Sequence, residues 1–365
     1  MKPLISDEQW KDAKRVLYMT HLAIGDYYYQ RGFLADLKRR YPHIELDIWI
    51  DDCRYRPKSW HTGRNQVLGQ WLSTEPHIRR IYPIAASKKE RKETIQKAVQ
   101  ENYDLVIFFA DKRTENFASI ARQIAPKGWV VGTLAKPKQK WLKKFFAFKK
   151  LNDYINIDNS PKVAHINDKY RLHFSCLFGV KFDANMPILG LDVPSEQQES
   201  MRLWVEDFKA KQAETNKLVL VNHLSTTPKR DLSWNHLVKL ISGIHTQFPE
   251  YAFVLNLPPA ELTPIKNKIA ETQAFNGINI TAFSAIEHFF QLPALILQSD
   301  VVITVETAVM HLASGLNAHQ LVLMRESAKQ WQPVNANKVL FGHSIINDIT
   351  VTDMLASFNE IRENQ

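Results

Sequence analysis

The sequence predicts an α/β protein built from two doubly wound parallel sheets. In both halves of the chain, short apolar runs alternate with amphipathic stretches, which is typical of parallel strands joined by helices. The chain has 365 residues, the length of two such domains, and the pattern restarts after Pro194. Because Pro187, Gly190 and Pro194 cluster at this point, we expect a first domain over residues 1–185 and a second over residues 186–345.

In the first half, the buried-type run Arg15–Thr20 predicts the opening strand. A helix is predicted from about Tyr27 to Arg40, and Pro42 ends it because the residue before a proline disfavours helical backbone. Further strands are predicted at Ile44–Ile50, Asp104–Phe109 and Trp129–Gly132.

The second half repeats the pattern. Its strands are predicted at Lys217–Asn222, Ala252–Leu257, Asp300–Val305 and Gln320–Met324. Ser233 is the expected N-cap of a helix that runs to about Thr246, and another helix is predicted over Ala308–Gly315. A final helix within residues 346–365 is expected to pack back on the N-terminal domain.

Ligands of open α/β sheets bind beyond the carboxyl ends of the strands, so chemistry is expected there. Gly25-Asp26 follows the first strand, and the loop lacks the three glycines of a dinucleotide site. Asp26 is either a cap of the following helix or a catalytic base at the edge of the sheet.

Two strand ends in the second half are suited to a diphosphate. Residues 225–230 (STTPKR) supply hydroxyl groups and two adjacent cations, although an ordinary solvated loop has the same composition. Residues 304–313 (TVETAVMHLA) place a helix N-terminus after a strand, which favours anions. Thr307 can donate a hydrogen bond there, and His311 is either a phosphate ligand or a structural histidine.

Charge is unevenly divided along the chain. Residues 1–180 hold 33 Lys and Arg against 19 Asp and Glu, a net charge of 33 − 19 = +14. Residues 181–365 hold 14 against 19, a net charge of −5.

Within the basic segment Lys136–Lys150, seven lysines are interspersed with four aromatic residues and no acid is present. A solvated surface does not explain the aromatic residues, and an amphipathic segment on an anionic membrane does so better than a nucleic-acid site. The residues expected to bind an anionic acceptor are Lys136, Lys138, Lys140, Lys143 and Lys144.

Seven segments along nearly the whole chain match the motifs of one enzyme family in order and spacing. They are Ile24–Asp26, Leu37–Pro42, Ile44–Asp47, Tyr103–Val106, Gly132, Arg171–Gly179 and Val305–Ser314. The chain thereby resembles glycosyltransferase family 9, which includes the bacterial lipopolysaccharide heptosyltransferases. The last segment, VETAVMHLAS, is similar to the family signature V-D-T-G-x-x-H-x-A-A.

The resemblance implies a GT-B architecture, in which two Rossmann-like domains face a central cleft. It also implies inverting, metal-independent transfer of a heptose from ADP-heptose to the inner core of lipopolysaccharide or lipooligosaccharide, with no cofactor. Asp26 would be the general base. The implied donor and nucleotide ligands are Thr226, Thr227, Lys229, Glu261, Glu306, Thr307, Ala308 and His311.

The implied partners are ADP-heptose or a related nucleotide sugar and an anionic lipid A/core glycolipid. The enzyme would lie in the cytoplasm as a peripheral protein of the inner membrane, and no nucleic acid would be bound.

Three departures from the family concern the donor site. Glu306 and Ala308 stand where the family has Asp and Gly, and Met324–Ser327 replaces the family's G-P-T-D-P turn. These departures leave open a family member that transfers another sugar to a different glycolipid or protein. A catalytically inactive glycan- or lipid-binding relative and a nucleic-acid-binding protein are the alternatives from other classes.

Overall fold

The computed structural model describes most of the chain. The described residues are 2–20, 23–54, 57–135, 149–159, 161, 163–183, 188–212 and 214–364. The chain divides into two compact units, Met1–Ile188 and Leu189–Gln365, where the sequence predicted a boundary after residue 185.

The first unit is a six-stranded parallel sheet with helices between its strands. Its strands are β1 (Arg15–Thr20), β2 (Glu45–Trp49), β3 (Arg80–Tyr82), β4 (Leu105–Phe109), β5 (Trp129–Leu134) and β6 (Asp153–Asn156). Its helices are α1 (Asp7–Asp12), α2 (Ile24–Arg40), α3 (Ser59–Leu72), α4 (Lys88–Val99), α5 (Thr114–Ile124) and α6 (Ile166–Phe178). The strand order is β3-β2-β1-β4-β5-β6, and Leu17 in central β1 lies opposite Asp47 of β2 and Val106 of β4.

The second unit has the same architecture. Its strands are β7 (Lys217–Asn222), β8 (Tyr251–Asn256), β9 (Ile280–Phe283), β10 (Val301–Val305), β11 (Gln320–Arg325) and β12 (Lys338–Gly342). Its helices are α7 (Ser195–Lys209), α8 (Trp234–Gln247), α9 (Leu262–Glu271), α10 (Gln291–Leu297), α11 (Ala308–Gly315) and α12 (Val351–Glu363). The strand order is β12-β11-β10-β7-β8-β9, and every pair is parallel.

Both sheets have their topological switch point beside the first strand of the unit. The chain order reverses between β1 and β4 in the first sheet and between β7 and β10 in the second. Ligands of such sheets bind outside the carboxyl ends of the strands at this point. The residues that follow β1, β7 and β10 therefore occupy the positions where a ligand site is expected.

The predicted fold class is confirmed, and the central strands lie close to their predicted positions. Continuous apolar runs identify them because a parallel sheet with helices packed on it is buried on both faces. Helix α2 begins at Ile24, three residues before the predicted start, and this places Asp26 inside its first turn.

The last helix packs within its own unit. The side chains of Met354, Phe358 and Ile361 on α12 belong to the hydrophobic core of the second unit, in which α12 packs on α8, β11 and β12. The apolar face of α12 is thus used within its own unit, and the expected packing of the last helix on the N-terminal domain stays a prediction. No helix among the described residues is long and apolar enough to span a bilayer.

Candidate active site

Asp26 lies just beyond the carboxyl end of β1. The Tyr170 hydroxyl, on α6, donates a hydrogen bond of 2.5 Å to Asp26 Oδ1, and the Ala23 N–H lies 3.4 Å from Oδ2 as a weak helix cap. Burial raises the pKa of the Asp26 carboxyl above its usual value, while both hydrogen bonds act in the opposite direction. The residue as a whole is half-buried.

Charged groups from α6 and from the end of β4 surround this carboxylate. Lys169 forms an ion pair with Asp111, and the lysine lowers the pKa of Asp26 while Asp111 raises it. His173, one turn further along α6, is buried, and burial lowers its pKa to about 4. It is therefore neutral near pH 7, so Asp26, Lys169 and Asp111 supply the local charge among the described residues.

In the second unit, amide side chains join the carboxyl ends of three neighbouring strands. Asn256 Nδ2, at the end of β8, donates to Asn222 Oδ1 at the end of β7 over 2.8 Å. Asn222 Nδ2 in turn lies 3.0 Å from Thr307 Oγ1 and 3.3 Å from Thr304 Oγ1. The Thr307 oxygen also accepts from the N–H of Val309, which caps α11. Because this oxygen accepts two hydrogen bonds, its own proton is left to donate to a ligand.

Glu306 precedes this cap, and its buried carboxylate faces two arginines. Arg325, the last residue of β11, donates to Glu306 through Nε at 2.8 Å, Nη2 at 2.5 Å and its backbone N–H at 3.0 Å. Arg230 Nε lies 3.7 Å from Glu306 Oε1. Two positive charges against one negative charge leave a net charge of +1 beside the start of α11, where the helix dipole also favours an anion.

Arg230, rather than the predicted Lys229, reaches this cluster. The Arg230 side chain also hydrogen-bonds to the hydroxyls of Thr226 and Thr227, the latter over 3.0 Å. Lys229 is exposed, and its side chain has no hydrogen bond or ion pair to the described residues. The structure therefore gathers Thr226, Thr227 and Arg230 beside Glu306 and leaves Lys229 in solvent.

The remaining predicted donor ligands occupy different environments. Ala308 is the first residue of α11 and is half-buried. His311 is buried one turn along that helix, with its ring centroid 6.1 Å from that of Trp331. Glu261 is exposed in a short turn that follows β8, at the carboxyl edge of the sheet. His311 is thus packed inside the fold, whereas Glu261 is open to solvent.

The predicted acceptor ligands Lys136, Lys138, Lys140, Lys143 and Lys144 lie outside the described residues. Within the described part of the chain, no group of three or more His, Cys, Asp or Glu side chains is placed to hold a metal ion.

Several residues around Asp26 and around Glu306 were not predicted from the sequence. Asn222, Asn256 and Arg325 each end an apolar strand, and a polar residue at the last position of such a run was the available signal. Tyr170 carried no comparable signal, because it lies 144 residues from Asp26 along the chain.

Solved structures with the same fold cover nearly the whole chain. A glycosyltransferase family 9 protein from Veillonella parvula is 15% identical over 96% of this chain and 98% of its own, with a TM-score of 0.74. ADP-heptose LPS heptosyltransferase II of E. coli is 16% identical over 96% and 100%, with a TM-score of 0.69. E. coli heptosyltransferase WaaC with ADP is 16% identical over 95% and 99%, with a TM-score of 0.65. At this identity the likeness establishes the fold.

The family is established by a separate match to the sequence. No curated protein matches the chain. The model of glycosyltransferase family 9 (heptosyltransferase), however, matches residues 94–357, which is more than half of the chain. The protein therefore belongs to glycosyltransferase family 9 and is an enzyme that transfers a glycosyl group.

Proposed function

We propose that the protein transfers a heptose from ADP-heptose to the inner core of lipopolysaccharide or lipooligosaccharide, with inversion and without a metal. The observation that carries this proposal is the Asp26 carboxylate, which is held by Tyr170 and made more basic by burial. Family membership and the likeness to E. coli heptosyltransferases support the choice of sugar.

In the proposed reaction, Asp26 takes the proton of an acceptor hydroxyl while that oxygen attacks the anomeric carbon of the donor sugar. One carbon–oxygen bond forms to the acceptor as the bond to the diphosphate breaks on the opposite face, and ADP leaves. A carboxylate can accept this proton because the hydroxyl becomes acidic as it bonds to the oxocarbenium-like centre.

The second unit would hold the departing diphosphate. Arg230 brings positive charge, Thr307 brings a free hydroxyl proton and α11 brings its N-terminus. Thr226 and Thr227 orient Arg230 through their hydroxyl groups. Glu261 is a candidate ligand for the ribose of the donor. Ala308 and His311 belong to the start of α11. Because these groups neutralise the leaving group, the reaction needs no bound cation.

A panel of nucleotide sugars tests this proposal. Purified protein is incubated with ADP-heptose, ADP-glucose, GDP-mannose or UDP-glucose and a heptose-free core acceptor, with and without EDTA. We expect nucleotide release only with ADP-heptose and acceptor together, unchanged by EDTA, and NMR of the product should show the inverted anomeric configuration. Loss of activity in EDTA that magnesium restores would contradict the metal-free mechanism.

A second candidate is transfer of a different sugar, and the Glu306–Arg325 pair favours it. A carboxylate that already accepts three hydrogen bonds from one arginine has less capacity left for sugar hydroxyls. Nucleotide release from a donor other than ADP-heptose would establish this alternative. Tight nucleotide binding without turnover of any donor would identify an inactive binding relative.

A further inference from the structure

The two oxygens of the Asp26 carboxylate have unequal surroundings. Oδ1 accepts the 2.5 Å hydrogen bond from the Tyr170 hydroxyl, whereas the contact of Oδ2 with the described residues is the 3.4 Å approach of the Ala23 N–H. A 2.5 Å bond is short and charge-assisted, and a contact of 3.4 Å is weak. Among the described residues, Oδ1 is thus the oxygen engaged by a strong hydrogen bond, and Oδ2 has the capacity left to take a proton.

Tyr170 is itself fixed in place. Its side chain is buried on α6, and Lys169 beside it forms an ion pair with Asp111 beyond β4. Burial also raises the pKa of the Tyr170 hydroxyl well above its usual value, so this group stays protonated and can only donate to Asp26.

We propose that Tyr170 is a positioning residue for the reaction, whose hydroxyl holds Asp26 Oδ1 so that Oδ2 faces the acceptor hydroxyl. The inference rests on the proposed function, since it requires Asp26 to be the base. It adds a residue of α6 to the catalytic apparatus of the first unit.

The titratable groups near Asp26 that belong to the described residues bear on the pH dependence. Lys169 on α6 favours the ionised carboxylate, and Asp111 beyond β4 disfavours it. His173 on α6 is neutral above its pKa of about 4. Tyr18 on β1 stays protonated because its pKa is raised well above its usual value. Within the described part of the chain, the contact left to test is therefore the hydrogen bond from Tyr170.

The test is Tyr170→Phe, assayed as kcat and KM from pH 4 to 9, a range that extends upward from the usual carboxyl pKa because burial raises the pKa of Asp26. The hydrogen bond lowers the pKa of Asp26, and its removal raises that pKa. Because the ionised carboxylate is the active form, the acidic limb of kcat should move upward by about one pH unit. The KM for the nucleotide sugar should not change. A profile that superimposes on that of the wild type would overturn the inference.

Tyr41→Phe is the matched control. Tyr41 also donates to an aspartate, Asp7 at 2.9 Å, but on an exposed part of the same unit. This variant should leave the acidic limb where it is. A shift equal to that of Tyr170→Phe would show that the effect is not specific to the Asp26 contact and would contradict the inference.

A second substitution covers the case in which Tyr170→Phe does not fold. Difluorotyrosine at position 170 keeps the ring and the hydroxyl but is a stronger donor, so the acidic limb should move to lower pH. An unmoved or raised limb contradicts the inference.

Asp26→Asn separates the two hypotheses. If Asp26→Asn loses turnover by about 10²–10⁴-fold and Tyr170→Phe leaves the profile unchanged, the proposed base stands and the positioning role fails. If Asp26→Asn retains turnover, the proposed base itself is wrong.

Discussion

At the scale of single residues, Lys229 and Arg230 show how neighbouring cations can have different surroundings. Arg230 lies against Glu306 and the two threonine hydroxyls, and about a quarter of its side chain is exposed. Lys229 extends into solvent. Charge near a partly buried site acts through a lower effective dielectric constant than charge in water. Of these two neighbouring cations, Arg230 is therefore the better placed to bind a diphosphate.

We expect Arg230→Gln to weaken ADP binding by about tenfold to a hundredfold, the loss of one charge-assisted hydrogen bond. Lys229→Gln is the matched control, since it removes the same charge one residue away, and its effect should be less than about fivefold. Titration calorimetry with ADP at low salt measures both affinities. If the Lys229 variant lost more affinity than the Arg230 variant, the assignment would have to be reversed in favour of the sequence-based one.

At the scale of secondary-structure elements, Glu306 and Arg325 link the carboxyl ends of β10 and β11. The carboxylate is only 3% exposed and the arginine 23%. Removing Arg325 alone should cost more than removing both partners, because the buried Glu306 carboxylate loses its hydrogen-bonded partner and keeps the longer 3.7 Å contact with Arg230. The pair also joins two departures from the family motifs, the glutamate and the Met324–Ser327 turn, in a single contact.

We expect Arg325→Met to lower the free energy of unfolding by about 3 kcal/mol, at the lower end for buried pairs because the arginine is partly exposed. The double variant Glu306→Met, Arg325→Met should recover most of that loss. Lys338→Met, which breaks the surface pair with Glu360, should cost less than about 1 kcal/mol. Urea unfolding of the wild type and of these three variants measures the differences in the free energy of unfolding. A double variant as unstable as the single one would mean that the buried charge is not the cause.

The elements also show what a sequence can and cannot predict. The central strands and α11 were predicted because their apolar runs and caps are local signals. The Asp26–Tyr170 and Glu306–Arg325 contacts were not, because each depends on which strands and helices become neighbours. A helix near residue 360 was expected as well, but an apolar face does not specify the core that it joins, and the packing of α12 in the core of the second unit was not predicted.

At the scale of the whole molecule, charge separates the two halves of the chain. The net charge of +14 over residues 1–180 and −5 over residues 181–365 suggests an anionic partner for the first half. The charged cluster at the start of α11 in the second unit gains its positive charge locally, from Arg230 and Arg325 beside Glu306. Binding of the nucleotide and binding of an anionic acceptor should therefore respond to different substitutions.

The basic segment Lys136–Lys150 provides the test of that division. We expect replacement of Lys138, Lys140, Lys143 and Lys144 by Gln to weaken binding to vesicles that contain phosphatidylglycerol, since each lysine near an anionic surface contributes about 1 kcal/mol. The difference should shrink as salt is added, because exposed charges are screened. The affinity for ADP should not change.

The matched control removes four exposed lysines elsewhere in the first unit, namely Lys89, Lys92, Lys97 and Lys127. The two variants lose the same charge at different positions. If both lost vesicle binding equally, net charge alone would explain the attraction, and the basic segment with its interleaved aromatic residues would have no specific role. If ADP binding were lost and vesicle binding kept, the segment would belong to the donor site.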